Sequence, residues 1–265
     1  YTMTTGPSDY SHAEGYYTSA SAFAAHAEGK NTNASGQYSH VEGGYNISIG
    51  TYSHAEGYYT TANTITQPNP YPSHAEGLQT NAVGSSSHAE GGNTLASGGG
   101  SHAEGCGTIS SGNYSHSEGY QTTASNDYTH VEGYQSIASG LYSHAEGYAT
   151  TSSGLQSHAE GSGTTATGNY SHSEGYQAKA TNNYAHAEGG MTLSSSFASH
   201  AEGWNTVASG KGSHAEGYYT IAQGSCSHAE GISTIAVGYG SHAEGSGSLA
   251  SGSYSHAEGL ATISS

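Results

Sequence analysis

The chain has 265 residues, 41 of them glycine, and sets 20 Asp and Glu against 3 Lys and Arg for a formal charge of −17 at neutral pH. Two Phe and one Trp leave too few large apolar side chains for a layered globular core. The charge argues against nucleic acid or an anionic membrane as partner, and no apolar run is long enough to insert into a bilayer.

Residues 1–10 form a degenerate repeat, and from Ser11 onward one phrase, Ser-His-Ala-Glu-Gly or a near variant, recurs to the end of the chain. It contains all 18 histidines, which fall at 12, 26, 40 and 54 and then from 74 to 256, fourteen residues apart except for one step of twenty. A disordered low-complexity chain has no need to hold such a register, whereas a stacked repeat fold requires it. The step of twenty adds Pro68, Pro70 and Pro72 within 64–72. Proline cannot donate to a ladder, so this stretch is expected to loop out between coils four and five. The remainder reads as one array over 1–265 of about 18 coils, and it is expected to be a segment of a longer fibre because the repeats run to both ends.

With Ser as position 1, small residues occupy positions 1 and 3 (Ser101, Ala103), and His and Glu occupy positions 2 and 4 (His102, Glu104). In an extended strand this alternation sends the small pair to one face and the His-Glu pair to the other. A second small alternation follows at positions 8 and 10 (Thr94, Ala96), with an aliphatic residue often between them (Leu95, Ile221). Glycine at position 5 (Gly57, Gly105) and often at 12 (Gly84, Gly98) is expected to turn the corners. Two glycines in every fourteen residues disfavour a helical repeat. The pattern predicts an all-β parallel β-solenoid with two short strands per coil, a narrow roll in which coils stack about 4.8 Å apart. Its Ala and Thr interior is small beside the backbone entropy each coil surrenders, which predicts lateral association.

The run Ser-x-Ala-x-Gly-x-x-Thr-x-Ala-x-Gly, clear in 87–100 and 213–226, resembles the fourteen-residue YadA-like head repeat of trimeric autotransporter adhesins and of phage and viral fibres. The resemblance implies a left-handed β-roll, a homotrimer and a non-enzymatic extracellular head on a cell or virion surface that binds a glycan, host surface or matrix. In that family the phrase is usually Ser-Val-Ala-Ile-Gly, with Val and Ile at the trimer interface. This chain places His and Glu there.

The His-Glu ladder, His12 and Glu14, His54 and Glu56, His102 and Glu104, His144 and Glu146, His186 and Glu188, His228 and Glu230, His256 and Glu258, is the most distinctive chemistry of the chain. Stacked glutamates repel unless histidines relieve them, and the expected arrangement is a polar zipper at an oligomer interface, His of one chain pairing with Glu of another. No cofactor is expected. The alternative use of the same ladder is a metal site, since imidazole and carboxylate suit zinc, nickel or iron. A Ser-His-Glu catalytic arrangement is excluded because adjacent Ser and His in a strand face opposite ways. Aromatic residues at position 6, Tyr58, Tyr120, Tyr134, Tyr148, Tyr176, Trp204 and Tyr218, form a candidate recognition surface, against the plainer reading that they cover the corners.

Protonation of 18 histidines would take the charge from −17 to −17 + 18 = +1, which predicts an acid response near pH ~6.5 unless the fold shifts it. Cys106 and Cys226 lie too many coils apart to bridge within the chain. Asn33, Asn46, Asn113 and Asn169 open Asn-x-Ser triplets, which matter only in a glycosylating host. Two functions remain: an adhesin or fibre head presenting a repetitive surface, and a purely structural self-assembling filament or sheath subunit.

Overall fold

The computed structural model describes residues 2–4, 10–63 and 71–265, and no helix occurs among them. By its internal contacts the chain divides into two units, residues 1–135 and 136–265. Each is a parallel β-solenoid whose coil takes fourteen residues and two strands. One strand has five residues and begins at the histidine, as in His54–Tyr58 and His102–Cys106 of the first unit and His158–Ser162 and His214–Tyr218 of the second. The other has two residues and carries the second small alternation, as in Leu95–Ala96 and Ile221–Ala222.

Stacking places like on like. His88 pairs with His102, Glu90 with Glu104 and Gly91 with Gly105, and Trp204 pairs with Tyr218 in the second unit. The short strands stack in the same way, Leu95 on Ile109 and Val207 on Ile221. Most of the expected loop lies outside the described residues, but the strands on either side of it pair directly, His54 with His74, Thr61 with Asn81 and Ala62 with Ala82. The array therefore keeps its register across the step of twenty.

The interior holds the small columns. Ser101, Ala103, Thr108 and Ser110 are buried, while the histidine between the first two faces outward. Such a core gains little from apolar area, and its polar atoms are only partly satisfied: the position 8 hydroxyls of Thr94 and Thr108 are buried without a partner, while several serines find one. Ser101 Oγ donates to the Gly98 carbonyl at 2.8 Å, and Ser87 does the same to Gly84 at 2.7 Å. Where serine replaces alanine at position 10, its hydroxyl meets the serine that opens the next phrase: Ser110 with Ser115 at 2.6 Å, Ser152 with Ser157 and Ser194 with Ser199 at 2.7 Å. Asn46 at position 8 is buried, with Nδ2 donating to the Gly57 carbonyl at 2.7 Å and Oδ1 accepting from Thr60 N–H at 2.9 Å. Its Asn-x-Ser triplet is closed to modification in the folded chain.

The corners differ from expectation. The left-handed residues sit at positions 7 and 14 and are mostly not glycine: Tyr59, Gln121 and Asn205 at the first, Tyr38, Tyr114 and Tyr184 at the second, with φ between 53° and 59°. Glycine at position 5 lies inside the long strand instead. Gly57 has φ of 114°, and a Cβ there would strike the carbonyl oxygen of Gly77 in the next coil. The position 5 glycine thus permits close stacking and does not make the turn.

Candidate functional site: the histidine-glutamate flank

Because the long strand alternates, every imidazole and carboxylate of a unit emerges on one flank of its sheet. Sixteen of the eighteen histidines, all but His214 and His256, lie within 4.0 Å of the glutamate two residues further along their own strand. Nε2 to carboxylate distances are 3.5 Å for His12 and Glu14, 3.7 Å for His54 and Glu56, 3.9 Å for His102 and Glu104, 3.8 Å for His144 and Glu146, 3.6 Å for His186 and Glu188, and 3.8 Å for His228 and Glu230. His130 and Glu132 close to 2.8 Å, a full hydrogen bond. His256 and Glu258 in the last coil are exposed, and the His256 ring lies 4.8 Å from that of His242.

Along the stack most of the rings lie face to face, with the pairs His12 and His26, His102 and His116, and His158 and His172 tilted. His74 and His88 centroids are 4.7 Å apart with planes 2° from parallel, and His228 and His242 are 4.8 Å apart at 4°. The Nε2 atoms of His88, His102, His200 and His214 are shielded from solvent without a hydrogen bond. A shielded nitrogen disfavours the charged ring, and so do neighbouring imidazoles. Burial, then His54 and His88, lowers the pKa of His74. His200 is pushed down to about 4, by burial first and by His186 and His214 next, with Glu188 opposing. The acid response expected near the ordinary histidine value therefore moves lower for these rings.

Three-donor clusters follow from this stacking. His88, Glu90 and His102 bring one ligand atom each within 4.8 Å of one another, and so do His200, Glu202 and His214, His228, Glu230 and His242, and His242, Glu244 and His256. No serine joins such a cluster: Ser53, beside His54, is buried on the opposite face.

The aromatic residues Tyr58, Tyr120, Tyr134, Tyr148, Tyr176, Trp204 and Tyr218 all end long strands and are all exposed. Tyr120 and Tyr134 stack at 5.0 Å and 9°. Trp204 lies over Gly190 in the space a side chain there would fill. A second column at position 14 stacks too, Tyr38 on Tyr52 at 4.8 Å and Tyr170 on Tyr184 at 5.2 Å. Lys30 sits 5.7 Å from the Tyr45 ring and Lys211 5.5 Å from Phe197, so two of the three cations lie against aromatic faces. Cys106 and Cys226 are exposed and free.

Two features escaped the reading of the sequence. Position 9 residues point outward from the short strands, and Ile47, Ile109 and Ile137 are exposed there. Strict alternation on either side of Thr and Ala was the available signal. The left-handed corners had a negative signal: positions 7 and 14 never carry Val, Ile or Thr, the side chains least able to take positive φ.

The family model of the YadA head domain repeat (2 copies) matches residues 145–171, 201–225 and 229–255. These stretches match the YadA head repeat. All three lie in the second unit, and the coils of the first unit have the same strand lengths and the same like-on-like register. Within the matched repeats, His158 and Glu160, His214 and Glu216, and His242 and Glu244 occupy the outward places. The YadA head repeat belongs to adhesins and is a structural unit, not an enzymatic one. No curated protein matches the chain.

Proposed function

We propose that this chain forms part of an adhesin-type fibre head outside the cell, on a cell or virion surface, assembled as a homotrimer and attaching through its repeated outer faces to a glycan, host surface or matrix. What carries the reading is the YadA head repeat itself, set in coils that return the same outward side chains every fourteen residues. Identical groups at short intervals suit many weak contacts with a repetitive target, where avidity replaces a deep pocket. The exposed aromatic residues ending the long strands are the anchors, since Tyr and Trp offer large rigid area at low entropic cost.

The His-Glu flank is the face between chains. The ladder is self-complementary, since each coil sets an imidazole beside a carboxylate and a second copy can offer each its opposite. Sedimentation equilibrium tests the assembly: a mass three times 26.8 kDa is expected, and a monomer at micromolar concentration contradicts it. Glycan-array and matrix binding test attachment. Tyr120→Ala with Tyr134→Ala should lower binding without altering the mass, and equal binding by the variant removes these rings from the recognition surface.

A further inference from the structure

We infer that the flank binds divalent transition-metal ions, zinc or nickel by preference, at His-Glu-His triads that bridge consecutive coils. Two of the four three-donor clusters among the described residues, His88, Glu90 and His102 in the first unit and His200, Glu202 and His214 in the second, are the triads with all three residues half-buried. Three observations converge on them. The donor chemistry is two imidazoles and one carboxylate, a set that leaves a fourth position of a tetrahedral ion for water or another ligand. The spacing is close to what an ion needs. Two donors about 2.0–2.1 Å from a tetrahedral ion stand roughly 3.3 Å apart, and here Nε2 and the carboxylate of the same strand are 3.9 Å apart in both triads, with all three donors within 4.8 Å. Small rotations of half-exposed side chains close the difference. Finally, the four ring nitrogens are shielded from water and make no hydrogen bond, so a metal bond would replace nothing already made.

The like-on-like register is what builds the triad, because it brings the imidazole of one coil over the His-Glu pair of the coil before it. A single His-x-Glu strand offers only two donors. All three ligands belong to one chain, so the inference does not rest on the trimeric reading, and the two can fail separately.

The test uses the untagged full chain, stripped with EDTA and dialysed near neutral pH. Titration with Co2+ is expected to give the intense visible band of a four-coordinate ion, and calorimetry with Zn2+ is expected to show saturable binding. Only the weak spectrum of six-coordinate cobalt, or no saturation with zinc, overturns the inference. Glu90→Gln together with Glu202→Gln keeps side-chain size and should reduce the ions held by one per triad, or weaken their binding by roughly tenfold or more. A variant with unchanged circular dichroism and unchanged zinc binding also overturns it, since scattered histidines would then be the ligands. Sedimentation run with and without zinc reports the assembly independently.

Discussion

At the scale of single residues the fold rests on glycines that no other side chain can replace. Gly105 has φ of 114°, and a Cβ there would meet the carbonyl oxygen of Gly119. Gly105→Ala is expected to cost at least ~2 kcal/mol from the backbone conformation alone, with the clash added, and chemical denaturation measures the loss. Gln121 shows the opposite tolerance. It already holds φ of 53°, so Gln121→Gly should be neutral or stabilising by a few tenths of a kcal/mol, about as expected where a left-handed residue gives way to glycine. His200 provides a residue-scale test of the electrostatics. Its ring resonances should titrate at about 4, because burial and the adjacent His186 and His214 disfavour the imidazolium, and titration at 6.5 would show the ring to be solvated.

At the scale of the coil, serine pairs inside the roll supplement a core of stacked alanines. Ser194 and Ser199 share a hydrogen bond of 2.7 Å in a buried interior. Truncating either to alanine removes this bond but leaves the other a backbone partner, the Ser199 carbonyl for Ser194 and the Ser196 carbonyl for Ser199, and should cost about 0.5–1.5 kcal/mol, while removing both should cost less than the sum. A double-mutant cycle read by thermal unfolding checks this. The same interior explains how much could be read in advance. Alternation at positions 1 to 4 reveals which side chains are buried, because period two has only two faces, and Ser101 and Ala103 lie inside as expected. The turn was less legible. Glycine is both a turn residue and a close-packing residue, and composition cannot distinguish Gly57 at a stacking contact from a glycine at a corner. The pairing of His54 with Glu56 within one strand was hidden for another reason: backbone spacing sets side-chain roots about 6.8 Å apart, and only the rotamers bring their tips to 3.7 Å.

At the scale of the whole molecule, charge and assembly govern behaviour. Histidines whose pKa lies below 6.5 in the folded chain, His54, His74 and His200 among them, bind protons more readily when unfolded. Their contribution favours the fold above the unfolded value of 6.5 and is lost as pH falls toward about 4. In metal-free buffer the unfolding midpoint should therefore be highest above 6.5 and decline through that window, and a midpoint that rises with acid would contradict the shielded flank. If the His-Glu flank lies between chains, Glu104→Lys with Glu118→Lys should split the assembly seen by sedimentation; an unchanged mass places another face at the interface.

Imidazole stacking is the most direct reporter of the fourteen-residue coil, because the coil sets each histidine beside the next one along the chain. Solid-state NMR of the chain labelled only at histidine should give ring-to-ring separations between neighbouring coils of 4.7–4.9 Å, the value for His74 with His88 and His88 with His102. Separations beyond roughly twice the ~4.8 Å strand spacing would show that the coil is not the unit of this fold.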